Sequence, residues 1–212
     1  MRAAAAQRQA DRREVILDAA RRCFARSGFH QTSMQSICAE AGMSPGGLYR
    51  YFPSKEAIIA GIAERDRANA SADFAAVTQS PDFFTGLDAL ARQYLVERTD
   101  EEIGLCAEIM AESRRNPEIA RIYRAIDDDV KKGLANMLRI AAERGELPRD
   151  TDFERVVDVL LTLGDGVELR RSIDPTFDSK AVFPLIMQVV RFLLVGCPDA
   201  GSQRRKESSD EA

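Results

Sequence analysis

The sequence predicts an all-α protein of about nine helices, a small N-terminal helical unit followed by a larger one. Three observations predict it. Apolar residues recur at three- and four-residue spacing through most of the 212 residues, alternating β-branched runs are scarce, and the 13 Gly and 8 Pro fall mainly between the apolar stretches. A hydrophobic share of 45% beside a charged share of 30% suits a soluble globular chain long enough to bury a core.

The first helix is expected over 12–27, where Val15, Ile16, Ala19, Ala20, Cys23 and Phe24 mark one face and Gly28 stands as the cap. Residues 1–10, Ala-rich with two arginines, read as a flexible basic arm ahead of it. Thr32 with Gln35 has the form of a capping box, and Met34, Ile37, Cys38 and Ala41 give a short second helix ending at Gly42. Ser44 is a good N-cap, Pro45 suits the first helical position, and Leu48 with Phe52 makes an inward i, i+4 pair before Pro53 ends the third helix. Ser54 caps a fourth helix running through Ile58 and Ile62 toward Phe74. Beyond it the spacing predicts helices over 83–98, 101–115, 117–144, 152–172 and 178–195, separated by Pro- and Gly-bearing turns. The polar tail, 199–212, is expected to be disordered.

Charge is divided unevenly along the chain. Residues 1–60 hold nine Lys and Arg against five Asp and Glu, leaving 21 basic and 29 acidic residues for the rest. A basic first part joined to an acidic remainder is the pattern expected if only the first part meets nucleic acid.

The third helix is the informative one. With Leu48 and Phe52 turned inward, Gly46, Gly47 and Arg50 take the opposite face and Tyr49 and Tyr51 flank it. Each glycine costs about 1 kcal/mol relative to Ala inside a helix. Bare backbone near a helix start permits close approach to base edges and phosphates, which would offset that cost.

These residues, taken together, resemble the tetracycline-repressor (TetR) family of regulators. The resemblance rests on Ile16-x-x-Ala19-Ala20-x-x-x-Phe24-x-x-x-Gly28-Phe29, Thr32-Ser33-Met34-x-x-Ile37-x-x-x-Ala41-Gly42, Ser44-x-Gly46-x-Leu48-Tyr49-x-Tyr51-Phe52 and Ser54-Lys55-Glu56. It implies a helix-turn-helix DNA-binding domain over 11–71 and an effector-binding and dimerisation domain over 72–198. Helices two and three would be the helix-turn-helix, with the third entering the major groove. Thr32, Ser33, Tyr49, Tyr51 and Lys55 match positions that touch phosphates; Gly46, Gly47 and Arg50 match positions that face bases, beside Ser44 and Pro45 at the helix start. Arg50 is the best candidate for base readout, since Arg pairs bidentately with guanine. Lys55 sits unfavourably at a helix N-terminus, and a phosphate would relieve it.

Helices eight and nine are apolar on two sides, and in the family such a pair makes a four-helix dimer interface. Val156, Val159, Leu160, Leu163, Ile186, Val189, Val190 and Leu193 are assigned to it here. The effector, a small molecule whose identity the sequence leaves open, would meet Phe83, Cys106, Ile109, Met110, Tyr123, Met137 and Asp165, although such apolar residues are more often plain core and such an acid more often solvated or at a dimer edge. Glu108 and Glu112 share one helix face.

Other function classes find little support in the sequence. His30 is the one histidine, without a nucleophile motif beside it, and neither a Gly-x-Gly-x-x-Gly nor a Walker-type loop occurs. No enzyme, cofactor or metal site is therefore expected. Cys23, Cys38, Cys106 and Cys197 have neither zinc-ligand nor disulfide-framework spacing and read as reduced, mostly buried thiols. No targeting or membrane-spanning segment is expected, so the reading is a cytoplasmic homodimer that binds a palindromic operator, represses, and is released by its effector.

Overall fold

A computed structural model describes residues 2–196, and the expected tail and Cys197 lie outside them. Every regular element among the described residues is helical. The order is α1 (Arg2–Gln31), α2 (Met34–Glu40), α3 (Pro45–Tyr49), α4 (Lys55–Gln79), α5 (Phe83–Arg92) with a π-helical continuation (Gln93–Glu97), α6 (Asp100–Ser113), α7 (Pro117–Glu143), α8 (Phe153–Ile173) and α9 (Ser179–Val195). The nine α-helices fall where the periodicity places them, to within a few residues at most ends.

Three local expectations are corrected. α1 begins at Arg2 rather than near residue 12, so the expected arm is helical from there. The Ala run over 3–6 favours helix, and Gln7 reaches Asp11 one turn on, at 2.9 Å. The cap of α2 is Ser33 paired with Ser36, not Thr32 with Gln35: each serine hydroxyl accepts the other's backbone N–H, both at 3.0 Å. α3 is one turn shorter than expected, because the chain tightens after Tyr49 and the Tyr51 N–H donates to the Leu48 carbonyl three residues back.

The described residues pack as two compact units, one of 2–72, 98–130 and 168–175, the other of 73–97, 131–167 and 176–196. In the first, Ile16, Leu17, Ala20, Cys23 and Phe24 of α1 pack with Ile37 and Cys38 of α2, Leu48 and Phe52, and Ile58, Ile59 and Ile62 of α4. Leu105 of α6 and Ile119 and Ile122 of α7 belong to the same cluster. The core around the helix-turn-helix thus draws on residues well beyond 71. Gly61 is needed for this packing, since a Cβ there would lie 2.9 Å from the Phe52 ring and 3.0 Å from Leu17. Ion pairs add a rim to the α1–α4 contact: Arg13 with Glu64, Arg21 with Asp66, and Arg65 with Glu14 and Asp18. The exposed ones, all but the part-buried Arg21–Asp66 pair, contribute about 0–1 kcal/mol each.

In the second unit, Asp82 caps α5 by accepting the Thr85 N–H at 2.7 Å, and Asp178 caps α9. Its buried residues include Phe83, Leu87, Met137, Leu138, Phe153, Phe183, Met187 and Leu194.

Candidate nucleic-acid interface

α3 is held from beneath by Leu48, fully buried, and by Phe52 just beyond its end, 2% exposed. Its start is fixed by Ser44, whose hydroxyl accepts the Gly47 N–H at 3.3 Å, with Pro45 in the first turn, where a missing N–H costs nothing. The two glycines have different reasons to be there. A Cβ on Gly47 would stand 3.2 Å from the Ser44 hydroxyl and 3.5 Å from the Met43 methyl, so the cap itself wants a small residue. A Cβ on Gly46 would meet nothing within 4 Å. Packing does not explain Gly46, and its backbone lies open on the exposed face.

Ser33, Ser44, Pro45, Gly46, Tyr49 and Arg50 are exposed, Tyr49 to 51%, while Gly47 and Tyr51 are half-buried. The Arg50 guanidinium lies 5.4 Å from the Tyr51 ring centroid, and its Nη2 is 3.5 Å from the Tyr51 hydroxyl. Tyr51 in turn packs against the buried cluster, so the arginine leans on a ring that the core anchors.

Two of the residues matched to phosphate contacts are placed otherwise. Thr32 is 2% exposed, and its hydroxyl donates to the carbonyls of Gly28 (2.7 Å) and Cys23 (3.0 Å). It closes the turn out of α1 and has no free surface for a phosphate. Lys55 is half-buried, its ammonium donating to the Phe29 carbonyl and lying 4.2 Å from the Phe29 ring centroid. The partner that relieves a cation at the start of α4 is therefore within the chain.

Beneath this face, the exit from α1 is tied to α6. Gly28 adopts φ +70°, which ends the regular turn and turns the Phe29 N–H to the Glu108 carboxylate at 2.6 Å. His30 Nε2 lies 2.8 Å from Glu112, whose side chain is 3% exposed and also has Arg115 at 3.4 Å. The signal available in the sequence for these two acids was their shared helix face. That they face the end of α1 was not.

The exposed apolar residues of the second unit form a row on α9: Leu185, Val189, Phe192 and Val195, 44–62% exposed, with Val159 of α8 at 42%. Val156, Leu160, Leu163, Ile186 and Leu193 are half-buried. Val190 is corrected: at 7% exposure it belongs to the interior of its unit. Leu185, Phe192 and Val195 were not picked out, because α9 is apolar nearly all round and the pattern does not tell the outer face from the inner.

The candidate effector contacts are not gathered in one unit. Cys106, Ile109, Met110 and Tyr123 are half-buried in the first. Phe83 and Met137, 2% and 1% exposed, are core of the second, and Asp165 is exposed, so it does not line an interior site. Burial pushes the Cys106 thiol up to about 11, aided by Glu168 and opposed by Arg98. Burial likewise raises the Cys23 thiol, against the pull of Arg26. Among the described residues no group of His, Cys, Asp and Glu side chains is placed to hold a metal, and no helix is long and apolar enough to cross a membrane.

Comparison with known proteins decides the family. Residues 16–62 match the model of bacterial regulatory proteins of the tetR family, and 77–163 match a tetracyclin repressor-like C-terminal domain. The HTH-type transcriptional regulator UidR of Escherichia coli (strain K12) is 36% identical over 158 residues, 73% of this chain and 79% of UidR. The chain belongs to the TetR family. It is a helix-turn-helix transcription regulator of that family, with α2 and α3 as the helix pair. Salmonella enterica GusR superposes with a TM-score of 0.74 at 31% identity, covering 87% of this chain and 95% of GusR. The fold is shared with SmeT, solved as a triclosan complex, at a TM-score of 0.76 and 23% identity over 90% of this chain and 93% of SmeT.

Proposed function

We propose that this TetR-family chain acts as a cytoplasmic homodimeric repressor that reads a palindromic operator with α3 and leaves it when a small molecule binds, and that it catalyses no reaction. The observation that carries the reading is Gly46. An exposed glycine with open space above it, between a Ser44-capped helix start and Arg50, is the form of a backbone that must come close to a nucleic acid. Arg50 reads base edges, Tyr49, Tyr51 and Ser33 anchor to phosphates, and the exposed rows of α8 and α9 form the subunit contact, where an apolar surface of that extent needs cover. Effector contacts are assigned to Ile109, Met110, Tyr123 and Cys106. In keeping with this assignment, the SmeT structure holds triclosan, while UidR carries the name of a transcriptional regulator.

Selection of duplexes from a randomised library by the full chain tests the reading. An inverted repeat is expected, its half-sites about 34–36 Å or a multiple apart, as two reading heads of one dimer require. Recovery of duplexes with no shared sequence would refute it.

A further inference from the structure

We infer that Glu108 is a positioning residue for DNA recognition, setting the pose of the helix-turn-helix through the backbone of Phe29. The inference rests on the repressor reading above and deepens it. Both polar groups of Phe29 are held by side chains from different helices: the N–H by Glu108 of α6 at 2.6 Å, the carbonyl by Lys55 at the start of α4. The residue is 5% exposed, and its ring lies between Phe24, 5.7 Å away, and the Lys55 ammonium.

Phe29 stands just before the helix-turn-helix, and Lys55 just after it. The segment between, with α2, α3 and the DNA-facing residues, leaves and returns at one residue, whose carbonyl is held by Lys55 and whose N–H is held by α6. Gly28 serves the same end. A Cβ at that position would come within 2.9 Å of the Glu108 Oε1 and would also be strained by the φ of +70°. A glycine is required there for the carboxylate to reach the next N–H.

Glu108 is half-buried, and its carboxylate is directed at the Phe29 N–H. With Glu112 it borders a narrow gap otherwise lined by Phe24, Phe29, Ile59, Leu105, Ile109 and Ile119, too tight to admit a water molecule. An apolar side chain of similar length would fill the space but leave the Phe29 N–H without its acceptor. A carboxylate earns its keep by fixing the Phe29 N–H in one direction.

The test uses the full-length protein, a duplex that the wild type selects from a randomised library, and a scrambled duplex of the same composition. Glu108→Met is expected to melt somewhat below wild type, because the Phe29 N–H loses its acceptor, so binding is compared well below both melting temperatures. It should bind the selected duplex at least about five-fold more weakly, the lower end of a typical coupling, with the scrambled duplex unaffected. Glu108→Gln, whose amide oxygen still accepts, should keep wild-type affinity. Lys55→Met combined with Glu108→Met should lose less than the two single losses compounded, since both act on one residue. In the wild type, amide exchange at Phe29 should slow further when the selected duplex binds, a readout that stands even if the Met variant fails to fold. Wild-type affinity in Glu108→Met, equal loss on both duplexes, full additivity with Lys55→Met, or duplex-independent exchange at Phe29 would each overturn the positioning role alone. If the wild type selects no duplex at all, the repressor reading falls and takes this inference with it.

Discussion

The Glu112 carboxylate, 3% exposed, lies 2.8 Å from Nε2 of His30, so the chain's one histidine supplies the close partner of the most buried acid among the described residues. A buried carboxylate is tolerated only when paired, and the remaining neighbour, Arg115, is 3.4 Å away and itself exposed. His30→Ala is expected to cost about 1–3 kcal/mol, the penalty of leaving a buried charged acceptor short of a donor. His30→Ala with Glu112→Leu should recover most of it, because the unpaired charge is gone. Urea unfolding midpoints at constant slope measure both. Equal stability of wild type and His30→Ala would show that Arg115 suffices.

At Gly46 stability and binding should move in opposite directions. A methyl group there meets no atom within 4 Å, and Ala is favoured over Gly by about 1 kcal/mol inside a helix, so Gly46→Ala should stabilise by a fraction of that. The same methyl would stand between the backbone and the DNA, and affinity for the selected duplex should drop. Thermal melts beside binding titrations check the pair. A variant that gains stability and keeps its affinity would remove Gly46 from the interface.

Arg50→Ala should weaken operator binding by about 1–3 kcal/mol and relax the preference at one base position of each half-site. Because the guanidinium leans on Tyr51, Tyr51→Ala should reproduce part of the lost preference, whereas Tyr51→Phe should keep it apart from any phosphate contact of the hydroxyl. Repeating the duplex selection with each variant reads out the sequence preference directly.

Val189→Glu together with Phe192→Glu should give a folded monomer, since both residues are exposed, 47% and 58%, within the apolar row of α9. Val190→Glu should instead lower the melting temperature sharply, because a charge would enter the interior of its own unit. Light scattering with circular dichroism separates the outcomes. A double variant that stays dimeric would place the subunit contact elsewhere.

The Cys106 thiol, pushed up to about 11 by burial, links stability to alkaline pH. Its unfolded counterpart ionises near 9.0, so between those values the folded state binds more protons than the unfolded one. Stability contributed by the neutral thiol is fully present below about pH 9 and is lost as the pH rises through about 11. Cys106→Ser, which has no ionisation in that range, should flatten this part of the stability–pH curve. Peptide-mapped alkylation at neutral pH should leave Cys106 nearly unlabelled in the native protein and label it in urea.

The nine helices of the described residues, and the exposed face of α3, were legible because each depends on short-range facts. Ser44, Pro45, Leu48 and Phe52 fix a cap, a start and a buried face within nine residues, and the TetR resemblance is carried by the same stretch. The length of α1 was not legible, since an Ala-rich segment with several charges suits either a frayed arm or a helix, and helix prevails in the structure from Arg2 on.

What the sequence by itself determined was the helical architecture, the family and the exposed face of α3, all properties of spacing along one segment. Only the tertiary structure decided which polar groups are already spent. Thr32 and Lys55 match DNA-contacting positions, yet their hydroxyl and ammonium serve Gly28, Cys23 and Phe29; Glu108 and Glu112 pass for surface acids until α6 is laid against the end of α1. Glu108 is 79 residues from Phe29 along the chain. Local periodicity carries no information about such a pairing, because a side chain's hydrogen-bond partner is chosen by how helices pack and not by what adjoins it in sequence.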